Sequence, residues 1–301
     1  MSSIATGLRA RGGRTLFGRL SGFVGRMPRP VAGAAAVLLL LTVLALAADV
    51  VRPLNETAVD LDSVLRAPSL AHPMGTDEVG RDLITRVIHG ARVSLMIGGF
   101  AALLAAAVGG ALGLAAGTLG GRVDTTIMRF TDACASQSHF FFVLLIAVLF
   151  RPALGGAGAV MLAVGLTHWP ALARIVRGEL LSVRERPFVA AAIGGGAGRR
   201  RLARRHYLPH LVPAIGLAFV LTIPHAIFHE AALSFLGVGL EPHRASLGNL
   251  LADSQQALLL GGWWVSLFPG LVLVVAAMTI GTIGEYWREH LHPRWRSELE
   301  L

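Results

Sequence analysis

Lysine is absent: all 27 basic side chains of this 301-residue chain are arginine. That excludes a nucleotide-binding P-loop, whose lysine reaches the phosphates, and it excludes Schiff-base chemistry. Any energy drawn from ATP must arrive through another subunit. Cysteine occurs once, at Cys134, so there is no intrachain disulfide and no cysteine-based metal cluster. Its setting, TDACASQ, reads as a small packed residue at the start of an apolar run. Charge is also scarce, at 15% of residues, where a soluble domain carries about 25%. With 54% hydrophobic residues and a mean hydropathy of +0.63, the chain reads as a polytopic membrane protein. The formal net charge of +9 does not point to nucleic acid, because the arginines end hydrophobic runs instead of forming a stripe with interleaved aromatics.

The apolar runs set the expected topology. Residues 1–30 hold six arginines and no acid, and Val31–Val51 follows as 21 residues with one charge, Asp49. At about 1.5 Å per residue such a run crosses a hydrocarbon core of roughly 30 Å. Ala45-Leu46-Ala47 would suit a signal-peptide cleavage site, but a signal n-region is shorter and the later spans need an orienting first helix. Further spans are expected at 93–118, 127–150, 155–175, 211–236 and 265–283, giving six. With both ends inside, 20 of the 27 arginines fall on the inner side, as short arginine-rich loops resist translocation. The expected organisation is a basic inner tail 1–30, a first span 31–51, an external loop 52–92, a core 93–286 with an inner loop 177–210, and an inner tail 287–301.

That inner loop, Arg177 to Pro213, is the longest polar interruption between spans. Pro187 can open a short helix where a missing N–H costs nothing, and Phe188 to Ile193 continue it. Gly194, Gly195, Gly196 and Gly198 then break it. A second helix, Arg199–Tyr207, is expected to end at Leu208-Pro209, since proline disfavours helix in the residue before it. A solvated basic loop against anionic headgroups would not need Phe188, Val189 and Ile193, which favour a docking element. Ala190, Ala191 and Ala192, then Gly196, then Leu208 and Pro209 match in spacing the E-A-A, three residues, G, nine residues, I-x-L-P segment. The segment thus resembles the coupling loop of bacterial ABC importer permeases. Ala190 stands where that pattern has Glu, and His206 where it has Ile.

A second stretch, His72 to Leu95, reads HPMGTDEVGRDLITRVIHGARVSL. Pro73 and Gly75 make a turn, Thr76 or Asp77 can cap a helix, and Leu83, Ile84, Val87 and Ile88 recur at helical spacing. An amphipathic helix on the outer interface is expected, with Asp77, Arg81 and Asp82 in structural ion pairs. The stretch resembles the H-P-L-G-T-D-x-x-G-R-D signature of permease subunits of dipeptide, oligopeptide and nickel importers. His72, Gly75, Asp77, Gly80, Arg81 and Asp82 are among the matches.

Polar groups inside spans mark interiors or cavities. Ser138 and His139 stand where the family carries Phe-Pro, and His225, His229 and Glu230 lie in the fifth span. These five are the expected pathway lining. His225 and His229, four apart, share a helix face, but two histidines alone do not make a coordination set. Polar lining or helix–helix hydrogen bonding is the reading, with nickel or metallophore contact as its alternative. Gly109, Gly113 and Gly117 at four-residue spacing read as a helix-packing stripe.

The resemblance implies an all-α type I ABC importer permease with six transmembrane helices, resident in the bacterial cytoplasmic (inner) membrane. It would move peptides or a related solute, nickel or a metal chelate being the alternative. It would bind no cofactor or metal itself, with ATP-Mg on partner subunits. The implied partners are a second, homologous permease, two cytoplasmic ATP-binding subunits and an extracytoplasmic solute-binding protein. A secondary transporter is the rival class, but no convincing internal repeat is present and intramembrane charge is sparse. An intramembrane enzyme would need His-Glu-x-x-His, and His229-Glu230 lacks the second His.

Overall fold

The computed structural model describes residues 28–53 and 59–291. Most of the two tails, with Arg294 and Arg296, lies outside them. The described residues are all-α. Helix α1, Arg29–Leu46, begins on Pro28 with proline in its first turn and breaks at Ala47 before the short α2, Ala48–Val51. The long α3, Leu83–Leu119, starts at Asp82, whose carboxylate accepts from the Thr85 N–H. After Gly120 come α4, Gly121–Ala135, and α5, His139–Arg184. The inner loop folds into α6, Pro187–Gly194, α7, Arg199–Leu202, and a π-helical turn, Ala203–Tyr207. Helix α8, Leu208–Phe235, α9, Leu247–Leu259, and α10, Trp263–Leu291, complete the order. Among the described residues, five helices could cross a membrane by length and composition.

Helix α5 is not straight. Gly155 sits at φ 69°, ψ 174°, outside helical geometry, in a region essentially reserved for glycine. The chain reverses there. His139 and His168 would lie about 43 Å apart along a straight helix, yet their ring centroids are 4.6 Å apart. Val143, Ile146 and Ala147 of the arm 139–154 share one buried cluster with Val160, Ala163 and Val164 of the arm 156–184. The freed N–H of Gly156 donates to the Glu241 carboxylate at 3.3 Å, and Arg151 donates to the Gly237 carbonyl. The second arm therefore starts with its own capped N-terminus.

Helix α3 is the central post, and its glycine stripe packs as expected. A Cβ on Gly109 would lie 2.6 Å from the Leu172 Cβ, one on Gly113 2.6 Å from the Ala173 carbonyl oxygen, and one on Gly117 2.8 Å from Leu180. Near the α3–α4 junction Arg177 grips Asp124 with two hydrogen bonds of 2.5 and 2.6 Å, and Arg174 pairs with Asp132. Arg184 donates to the Gly117 carbonyl, a cation at a helix C-terminus.

Three expectations need correction. Among the described residues no separate amphipathic helix precedes the second span: Leu83, Ile84 and Val87 belong to α3 itself, because Asp82 is the cap and nothing breaks the helix before Gly120. The third span is not one helix, since Ser136–Ser138 interrupt it between α4 and α5. Pro209 ends no helix. Apolar helix runs on from Arg199 to Phe235, because the π turn places Pro209 in the first turn of α8, where its missing N–H costs little. A further helix, α9, lies in the segment 241–262 and is capped by Ser246, whose hydroxyl accepts from the Asn249 N–H.

Candidate coupling surface and translocation lining

The candidate coupling surface is built around α6. Its end is a Schellman turn: the Ala197 N–H reaches the Ala192 carbonyl at 3.0 Å and the Gly196 N–H reaches Ile193 at 2.9 Å. Gly196 occupies the left-handed position at φ 78°, as this motif requires. Val189 is fully buried with Val176, Leu180, Leu202, Tyr207 and Leu211, so the short helix is anchored to the ends of α5 and α8. The opposite face is open. Ile193 is 55% exposed and Phe188 37%, beside exposed Ala190 and Ala191, while Ala192 is half-buried. Phe188 stacks on His210 at 5.0 Å, and Leu208 and Pro209 are exposed at the foot of α8. A hollow of about 510 Å³ lies alongside, lined by residues including Thr118, Arg184, Ile193 and Tyr207.

The outer signature forms a cap. Asp77, 1% exposed, accepts from the Arg81 and Val79 N–H groups, from the Arg81 Nε at 2.7 Å and from the buried Arg86 at 2.8 Å. Arg86 also pairs with Asp253 of α9. The Glu78 carboxylate takes the Ala257 N–H, and the Trp264 indole donates to the Thr76 carbonyl. Trp264 is thus buried in the cap, whereas Trp263 is 52% exposed. Gly80 has no room for a side chain: a Cβ would lie 1.8 Å from the Asp60 carbonyl oxygen. Asp82, bonded to Thr85 and His72, feels burial first, which raises its carboxyl. The Thr85 hydroxyl, His72, the Thr85 N–H and Arg52 together outweigh that and hold it below the usual range. For Glu78 burial dominates, pushing its carboxyl up.

The expected lining splits in two. Glu230 is fully buried, taking the Ser94 hydroxyl at 2.6 Å and the Ser234 hydroxyl at 3.0 Å. Those serines accept the N–H groups of Leu247 and Leu240, so Glu230 ties α3 and α8 to the external segment. His229, its neighbour in sequence, points elsewhere. It meets His139 and His168, with ligand nitrogens of all three within 4.8 Å of one another. His225 stands one turn away, 6.4 Å from His168, and Ser138 lies exposed at the start of the 139–154 arm. Sequence reasoning missed His168. The available signal was a histidine inside an apolar run, in GLTHWP, of the kind that marks an interior.

Residues 109–297 match the model of the family described as binding-protein-dependent transport system inner membrane component. The dipeptide transport system permease protein DppC of Bacillus subtilis (strain 168) is 35% identical over 260 residues, 86% of this chain and 80% of that protein. A protein of Brucella abortus biovar 1, provisionally named a peptide transport system permease, is 38% identical over 264 residues, 87% of each chain. An inward-facing structure of the MetNI methionine ABC transporter shares the fold with a TM-score of 0.55 at 17% identity, covering 69% of this chain and 97% of that one. The chain therefore belongs to the family of binding-protein-dependent transport system inner membrane components, as a polytopic inner-membrane permease of the ABC-importer type and not an ATPase.

Proposed function

We propose that this chain is one of two permeases in an ATP-driven importer of di- or oligopeptides, crossing the membrane six times with both termini in the cytoplasm. The reversal at Gly155 supports the count: 121–135 with 139–154 makes one crossing and 156–184 the next. The arginine-rich α6–α7 segment then falls inside, in keeping with the positive-inside rule. The observation that carries the coupling role is α6 itself, pinned by Val189 while presenting Phe188, Ala190, Ala191 and Ile193. A rigid helix with an exposed apolar face suits a socket on an ATPase, and ATP-Mg would be bound there. Closure of the ATPases would move α6 with the ends of α5 and α8 and bias the bundle between outward and inward openings. Peptide as solute comes from the relatives' names, and selection would rest largely on an external binding protein.

The test is a mild-detergent pull-down of the tagged chain from its native membrane, with mass spectrometry of what accompanies it. A second permease, P-loop ATPases and a peptide-binding lipoprotein or periplasmic protein are expected. Reproducible recovery of the folded chain alone would overturn the assembly and bring the secondary-transporter reading forward.

A further inference from the structure

Three imidazoles from three segments meet at one point, with His139 exposed and His168 and His229 half-buried. His139 opens the arm 139–154, His168 lies midway along the arm 156–184, and His229 comes from α8. Ring centroids stand 4.6 Å (His139–His168), 4.9 Å (His139–His229) and 5.2 Å (His168–His229) apart, with all three pairs nearly perpendicular. A histidine that only fills space or hydrogen-bonds along its own helix has no need of two others at this range.

The hydrogen bonds pre-set the donors. His168 Nδ1 faces the Val164 carbonyl at 2.9 Å, and His229 Nδ1 faces the His225 carbonyl at 2.8 Å. A carbonyl only accepts, so each Nδ1 carries the proton, and in the neutral ring Nε2 keeps its lone pair. This is the outer-shell arrangement that fixes tautomer and ring orientation in histidine metal sites. Among the described residues no hydrogen-bond donor reaches Nε2 of His168 or His229, and one ligand nitrogen from each of the three rings lies within 4.8 Å of the others.

We propose that His139, His168 and His229 form a three-imidazole site for a divalent borderline transition-metal ion such as zinc, nickel or copper, beyond the peptide-permease function. Imidazole selects these ions over magnesium or calcium. Metal–nitrogen bonds of about 2.0–2.1 Å in a tetrahedral set place the nitrogens roughly 3.3 Å apart, so the rings must draw together by up to about 1.5 Å. His139 has the freedom to do so, being exposed on the first turn of its arm. Three protein ligands leave a fourth position open, as in sites that exchange a water or a substrate donor. Three neutral ligands leave the charge of a bound dication uncompensated, so an anionic fourth donor, such as a carboxylate of a transported solute, is favoured.

The experiment uses the full-length chain with no polyhistidine tag, in lipid nanodiscs, dialysed against Co²⁺ as a visible-absorbing probe. One Co²⁺ per chain is expected, with the intense absorption of a four-coordinate ion, displaced by Zn²⁺. His168→Gln and His229→Gln should each weaken binding by more than the roughly 10–100-fold lost when an outer-shell partner is removed. His225→Gln should leave stoichiometry unchanged. If His168→Gln fails to fold, as judged by helix content and elution volume, His139→Gln takes its place, since that ring is exposed. Absence of stoichiometric Co²⁺, binding that survives removal of all three rings, or equal loss in His225→Gln would each overturn the site. No ATPase or peptide enters the measurement, so failure here leaves the importer reading standing.

Discussion

Asp82 and Glu78 lie four residues apart in the external cap, and their chemistry pulls stability in opposite directions with pH. Asp82 titrates below its ordinary value in the folded chain, so the unfolded chain binds its proton first as pH falls. Its contribution is therefore complete above the usual aspartate value of about 4 and is lost as pH drops through the lower folded value. Glu78, raised by burial, contributes fully below its unfolded value and less as pH rises through its folded one. Between pH 6 and pH 3 the thermal midpoint in detergent is expected to fall, and Asp82→Asn should flatten the acid end of that curve. Glu78→Gln should leave the acid end and remove a decline on the high-pH side. A profile unchanged by Asp82→Asn would show that its bonds to Thr85 and His72 do not hold the cap. At this scale the sequence was informative: the aspartates and arginines of the signature were expected to pair, and they do. The partner of Arg86 was not legible, because Asp253 lies 167 residues away and nothing local marks it.

At the scale of elements, Gly155 decides the path of the chain. Its backbone conformation is one that a side chain makes costly, yet the space around it is open, the nearest foreign atom being Glu241 Oε1 at 3.6 Å from a built Cβ. Gly155→Ala therefore isolates backbone strain from steric clash, and should cost about 1–3 kcal/mol. Gly178, helical on the same element with nothing within 4 Å, is the control: Gly178→Ala should stabilise by about 0.5–1 kcal/mol, as alanine outranks glycine within a helix. Opposite shifts in thermal midpoint check both, and two shifts of the same sign would refute the hairpin geometry. The break near Gly155 was expected because apolar runs ended on either side of it. The interruption at Ser136–Ser138 was not, as polar residues inside a span read equally as lining. Pro209 misled for a related reason: a local rule for the preceding residue was outweighed by the π turn, which only the packing of Tyr207 and Leu202 against α5 and α6 makes favourable.

On the scale of the whole molecule, the proposed coupling requires α6 to keep one orientation relative to the ends of α5 and α8. In that proposal Gly196 sets the orientation. Its left-handed φ satisfies two carbonyls of α6 and turns the chain toward α7, and no atom lies within 4 Å of where its Cβ would be. A large side chain therefore fits, but the backbone beneath it is strained by about 1–2 kcal/mol, enough to change the share of the docked geometry by a factor of roughly 5–30. Asparagine tolerates this conformation better than leucine does. The two substitutions thus separate backbone geometry from added bulk. In proteoliposomes holding the chain with its co-purified ATPases and binding protein, dipeptide-stimulated ATP hydrolysis by Gly196→Leu is expected to fall about 5–30-fold. Gly196→Asn should retain most of it, and both should insert and assemble as the parent does. Equal loss in the two variants would mean that bulk at an interface, not the turn, is what matters; full activity in both would remove Gly196 from the coupling path and leave Phe188 and Ile193 as the contacts to probe.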